Sequence, residues 1–168
     1  MQTARSWDSY KEALIKVLAE FKPKTVLEWG PGVSTLIMQD FPSVKLIDTV
    51  EHNPAWWAKW KDKFGTKVKL YLEENLRNYP YVYRGEFKYD LIFVDGKDRE
   101  SCLVVAQGLI KEDGIVILHD AERESYKSFI DNFQFVFYED DGHTSIMTKS
   151  VESNNRLERI FESSYSSK

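Results

Sequence analysis

Four acidic residues, Glu28, Glu51, Asp95 and Asp120, each stand at or just after the end of a short apolar run. Beside the first lies the turn Gly30-Pro31-Gly32, followed by Val33 and Ser34. Its glycines allow a sharp turn and close backbone approach to a ligand. A helix starting after them offers unpaired N–H groups to an anion, such as the carboxylate of an amino-acid moiety. Glu51 closes the next apolar run, where a carboxylate can accept hydrogen bonds from a ribose diol. Asp95, His119 and Asp120 form a second group. Their oxygens and imidazole nitrogen suit a divalent cation. His119 is also a candidate general base, since histidine titrates near neutrality; the alternative is a strand-end histidine that caps backbone groups. Arg99 and Arg123 could take a phosphate or uronate, or pair with Asp98, Glu100, Glu122 or Glu124.

These residues need elements to hold them. Tyr10, Ala13, Leu14, Val17, Leu18 and Phe21 follow helical spacing, with Ser9 and Glu12 at capping-box distance and Pro23 as a stop. Strands are predicted at 25–27, 44–50, 68–72, 91–94 and 115–118. Helices are predicted after the Glu28–Thr35 segment through about Gln39, from Pro54, at about 99–110 and at about 122–132. Segments 133–138 and 144–148 read as two closing strands, with Asp141-Gly142 as their hairpin turn. Strands alternate with helices, and the inner strands are unbroken apolar runs. That pattern predicts an α/β protein with a mostly parallel seven-stranded sheet, helices on both faces and a C-terminal antiparallel hairpin.

Length and composition bound the rest. A chain of 168 residues with 42% hydrophobic and 14% aromatic residues suits one packed domain. Residues 1–149 are expected to form it, and residues 150–168, polar and Ser-rich, a tail that is a loose helix or unstructured. The net charge of -4 gives no support for a broad nucleic-acid surface. No apolar run is long enough for a membrane span, and no signal-peptide pattern opens the chain; a cytoplasmic protein is expected. The single cysteine, Cys102, excludes an internal disulfide framework. It lies on the apolar side of its helix and reads as a buried thiol.

The run Val26-Leu27-Glu28-Trp29-Gly30-Pro31-Gly32-Val33-Ser34 resembles the first motif of class I S-adenosylmethionine-dependent methyltransferases. Thr49-Val50-Glu51-His52-Asn53 resembles their second. Tyr89-Asp90-Leu91-Ile92-Phe93-Val94-Asp95-Gly96 is similar to the fourth-strand motif, and Gly114-Ile115-Val116-Ile117-Leu118 to the fifth. The likeness spans 25–149, with the motifs in order. A dinucleotide-binding fingerprint would want a third glycine where Thr35 stands.

The resemblance implies S-adenosylmethionine as cofactor. Glu28, Gly30, Pro31, Gly32 and Ser34 would hold its methionine part, Glu51 its ribose, and His52 the border of its adenine. One of Glu73, Glu74 and Asn75 would approach the adenine edge. Asp95 would lie beside the sulfonium, and Asp95, His119 and Asp120 would form the catalytic side. Some members, the metal-dependent O-methyltransferases, place an Asp at each of these two strand ends followed by an Asn. Here Ala121 stands in place of that Asn, so the expected metal set at Asp95 and Asp120 is incomplete. One of the adjacent pair Trp56 and Trp57 would line the adenine pocket, and the 77–84 loop, rich in tyrosine and arginine, would roof the acceptor site. The expected reaction is methyl transfer to an oxygen of a small-molecule or saccharide acceptor. The alternatives are a non-catalytic cofactor-binding subunit, an aminopropyltransferase and an NAD-binding oxidoreductase. Oligomeric state is not readable from these patterns.

Overall fold

The computed structural model describes residues 9–83, 87–139 and 142–162. The elements run α1 (Lys11–Phe21), β1 (Thr25–Trp29), α2 (Val33–Asp40), β2 (Leu46–Glu51), α3 (Pro54–Trp60) and β3 (Val68–Leu72). After a 3-10 turn at Tyr79–Tyr81 come β4 (Tyr89–Val94), α4 (Arg99–Leu109) and β5 (Ile110–His119). A second 3-10 turn leads to α5 (Lys127–Ile130), β6 (Phe135–Tyr138), β7 (Thr144–Thr148) and α6 (Val151–Glu162).

The seven strands form one sheet in the order β3-β2-β1-β4-β5-β7-β6. Strands β1 to β5 are mutually parallel, and β7 runs antiparallel to both β5 and β6. This is the α/β architecture expected from the alternation of elements. Along each inner strand, successive side chains enter opposite cores, as the pleat demands. Leu27, Ile92, Val94, Val116 and Leu118 pack under α4. Val26, Leu91, Phe93, Ile115 and Ile117 pack under α1. Strands covered on both faces favour apolar residues at most positions, which explains the long apolar runs of β4 and β5.

The differences from expectation have local causes. Strand β5 starts at Ile110 rather than Ile115, because a register irregularity lets Ile110 pair with Tyr89 before Gly114. The predicted helix at 122–132 is only a 3-10 turn and the four-residue α5. Ser9 does not cap α1: the residue before the helix is Tyr10, which makes no side-chain cap. Arg84, in the loop rich in tyrosine and arginine, and Asp141, in the hairpin turn, lie outside the described residues. Among the described residues, no helix is long and apolar enough to cross a membrane.

The polar C-terminal segment is, over Val151–Glu162, an amphipathic helix packed on the domain. It buries Leu157 and Phe161 in the core beside α1. The Phe161 ring stacks on Phe137 at 4.7 Å. Arg156 Nε donates to Glu20 at 3.0 Å and its ring-facing guanidinium covers Phe21. Its polar composition reflects an exposed outer face, not lack of structure. Phe161→Ala is expected to destabilise the chain by about 3–5 kcal/mol, as for other buried aromatic truncations. Urea unfolding checks this; a loss below about 1 kcal/mol would show that α6 is not part of the cooperative core.

Candidate active site

Strand β1 lies between β2 and β4, so the chain leaves it in opposite directions on its two sides. Ligands in such sheets sit at the carboxyl ends of the strands beside this switch point. A cleft of about 380 Å³ opens there, and its lining includes Gly30, Pro31, Glu51, His52, Asp95 and His119. The floor is a close backbone contact. Gly30 has φ +95°, and a Cβ there would stand 2.7 Å from the Gly96 backbone. At Gly96 a Cβ would collide with the hydroxyl of buried Tyr79. Gly32 is different: its backbone is extended and the nearest atom to an added Cβ is at 3.9 Å. Of the two turn glycines, only Gly30 is required by the geometry.

Glu28 and Ser34, expected at the ligand, lie beneath the loop. Glu28 is fully buried and accepts hydrogen bonds from Ser34 Oγ at 2.5 Å, Thr35 Oγ1 at 2.6 Å and Thr49 Oγ1 at 2.7 Å. Thr35 Oγ1 in turn accepts from the Gly32 N–H at 3.0 Å. One carboxyl group thus ties β1 to β2 and to the start of α2. Burial pushes its pKa up to about 7 even against the three hydroxyl donors. Neither Glu28, Gly32 nor Ser34 lines the cleft.

Glu51, at the end of β2, does line it while only 4% exposed. Its Oε1 accepts from the backbone N–H of His52 at 2.8 Å and of Asn53 at 2.7 Å. That fixes the carboxylate at the cleft wall. Asn53, the last residue of the second motif, caps α3 through Oδ1 and lines the cleft. Of the tryptophan pair, Trp56 lines it, with Nε1 donating to Pro31 O at 2.7 Å. Its ring is therefore a wall anchored to the glycine turn. Glu73, Glu74 and Asn75 do not line the cleft. Tyr79, expected in a roofing loop, is a buried strut whose hydroxyl donates to Val50 O at 3.2 Å.

On the opposite wall the ends of β4 and β5 bring Asp95, His119 and Asp120 together. Asp95 Oδ1 and His119 Nδ1 are 2.9 Å apart, and His119 Nε2 lies 3.1 Å from Ser9 Oγ. The residue that looked like a helix cap instead occupies the outer nitrogen of the histidine. Burial disfavours charge on the imidazole, but the hydrogen bond and charge of Asp95, with the charge of Asp120, outweigh it and raise the pKa above the ordinary 6.5. For Asp120, burial is outweighed by His119 and Arg99, and the carboxyl is held below its usual range.

Arg99 fills the space between these groups. Nη1 donates to His119 O at 2.5 Å and to Asp120 Oδ2 at 3.1 Å. Nη2 donates to Asp95 O at 3.3 Å and pairs with Asp95 Oδ1 at 3.2 Å, and Nε donates to Gly96 O at 2.9 Å. Four hydrogen bonds and two ion pairs hold the guanidinium. Arg99 is thus committed to the fold and not free to bind an acidic substrate. Asp95, His119 and Asp120 offer metal-ligand atoms within 4.8 Å of one another. With a fixed cation already paired to both carboxylates, the set does not fit a divalent metal. Arg123, 53% exposed at its side chain, reaches Asp120 from outside at 3.3 Å. Cys102 is buried, as expected, and burial pushes its thiol far above the usual range.

No family model matches the sequence, and no curated protein matches it significantly. Solved structures do match. A methyltransferase-like protein from Silicibacter pomeroyi superposes with TM-score 0.66 at 16% identity, covering 95% of this chain and 96% of that one. The fold is that of the Rossmann-like methyltransferases. Human methyltransferase-like protein 13, in complex with SAH, gives TM-score 0.62 at 16% identity over 94% of this chain and 93% of its own. Spermidine synthase from Thermotoga maritima gives 0.66 at 16% identity, over 94% of this chain and 64% of its own.

The buried Glu28 makes a checkable claim about stability. Its folded-state pKa of about 7 exceeds the ordinary 4.5, so folding favours the protonated form. Its contribution is then fullest below about pH 4.5 and declines as pH rises through about 7. Glu28→Gln cannot ionise and is expected to abolish that decline. Urea unfolding of both chains at about pH 5 and about pH 8 measures it; an equal decline in the variant would contradict the assignment.

Proposed function

We propose that this chain is an S-adenosylmethionine-dependent methyltransferase that methylates a hydroxyl of a small-molecule or saccharide acceptor. The observation that carries this reading is the pairing, across one cleft, of Glu51 beside the Gly30-Pro31 turn with the Asp95–His119 dyad. Glu51 Oε2 would accept from the ribose diol, and the turn would receive the methionine part. His52 and Trp56 would border the adenine. When bound, the cofactor supplies an electrophilic methyl group. The rest is done by this chain. Gly30 and Asp95 orient the donor side, with Asp95 placing negative charge near the sulfonium. His119 Nε2 accepts the proton of the acceptor hydroxyl, and Asp95 holds the other ring nitrogen and stabilises the imidazolium that forms. Ser9 Oγ stands where the acceptor hydroxyl must arrive, so the acceptor displaces it from Nε2.

Calorimetry tests the cofactor half. S-adenosylmethionine is expected to bind, and Glu51→Gln to weaken it by about ten-fold or more, the worth of charge-assisted hydrogen bonds. NAD is the control for the dinucleotide alternative. Decarboxylated S-adenosylmethionine is included because a spermidine synthase shares the fold; if it outcompetes the parent cofactor, the reaction is aminopropyl transfer. Absence of binding by folded protein rejects the proposal, and binding without transfer to any acceptor supports the non-catalytic alternative.

The acceptor half is tested by kinetics. His119→Ala is expected to lower kcat by about 100-fold or more, while Ser9→Ala leaves kcat within a few-fold. Because the His119 pKa is raised above 6.5, the proton-accepting neutral form gains population only above that value. The rate, kcat/KM, is expected to climb with pH through a limiting pKa above 6.5 and then level off. A profile flat across that region would remove His119 as the base.

A further inference from the structure

We propose that Arg99 is the resident cation of a latent divalent-metal site, its guanidinium standing where an ion would otherwise join Asp95 to Asp120. Three observations carry this. First, Asp95, His119 and Asp120 present ligand atoms within 4.8 Å of one another, from the ends of two adjacent strands. Ligands on opposite sides of one small cation are about 4–5 Å apart, so the set is already close to coordinating size. Second, the Arg99 side chain, on the following helix, is 9% exposed and reaches both carboxylates at 3.1 and 3.2 Å. Third, its remaining donors end on the carbonyls of Asp95, Gly96 and His119. Those bonds lock the cation into the loop ends that an ion would otherwise have to organise.

The charge balance supports the same conclusion. With Arg99 in place, two carboxylates face one fixed positive charge, supplemented by Arg123 on Asp120 and by the His119 ring. Without Arg99, the two partly buried carboxylates lose their central cation. Leaving such charges unpaired is strongly unfavourable, and a dication relieves it. Arg99→Met keeps most of the side-chain length but removes the charge and all five donors. The inference is independent of the methyl-transfer reading, since it concerns metal affinity alone.

Titration with Mn²⁺, followed by the electron paramagnetic resonance signal of the free ion, tests it on the full chain. The wild-type protein is expected to leave the signal unchanged up to millimolar Mn²⁺. Arg99→Met is expected to bind Mn²⁺ at least ten-fold more tightly, and adding Asp120→Asn to cancel that gain. The thermal midpoint of Arg99→Met is expected to be higher in Mn²⁺ than in chelator, where the wild type shows no difference. Micromolar Mn²⁺ binding by the wild type overturns the proposal, as does a folded Arg99→Met chain that gains no affinity. If circular dichroism shows Arg99→Met unfolded, Arg99→Gln takes its place in the same assay, and the wild-type result stands as an independent test.

Discussion

Two backbone turns, one after β1 and one after β4, press together at Gly30 and Gly96, and the cleft depends on that contact. A side chain at either position would part them. Parallel strands that diverge from β1 leave a crevice at their carboxyl ends; the glycine contact makes its floor. The turn is held from below by a single carboxyl group. Glu28 gathers three hydroxyls from β2 and α2, and so sets the level at which the loop stands. From there Glu51 and Asp95 come to face the same space from opposite sides.

The two halves of the site are stabilised differently. On the β2 side the order is local: Glu51 is fixed by the next two backbone N–H groups, and Asn53 caps the helix that carries Trp56. On the β4–β5 side the order is tertiary. Arg99 binds the loop ends, and the imidazole lies between Asp95 and the hydroxyl of Ser9. Tyr10 closes over His119 edge-on at 5.0 Å. The histidine is thereby shielded from bulk water, with one nitrogen assigned to Asp95 and the other to an exchangeable hydroxyl.

Much of this was legible in the residue order. The alternation of apolar runs and amphipathic segments implied the sheet and its layers, because strands covered on both faces favour apolar residues at most positions. Acids at successive strand ends marked Glu51, Asp95 and Asp120 as cleft residues. What remained hidden depended on direction and distance. Glu28 sits at a strand end like the others, yet it points under the loop, where hydroxyls at Ser34, Thr35 and Thr49 await it. Ser9 had the spacing of a cap, and a histidine far along the chain claimed it instead. Arg99 could meet a substrate or pair with acids near it in sequence; it pairs instead with Asp95 and Asp120, and with carbonyls of loops that only folding brings together. The polar tail left a loose helix or an unstructured segment open: Leu157 and Phe161 are too few to announce a packed helix until α1 and Phe137 are seen beside them.

We propose that Glu51 and the Gly30-Pro31 turn form a nucleoside and amino-acid site facing the Asp95–His119 wall. A crystal structure of the chain with S-adenosylhomocysteine tests it most directly. The ribose hydroxyls are expected on the Glu51 carboxylate, the amino-acid part against the Gly30-Pro31 turn, and the sulfur directed toward Asp95. A nucleoside bound away from Glu51, or a ligand excluded from this cleft in a folded crystal, would contradict it.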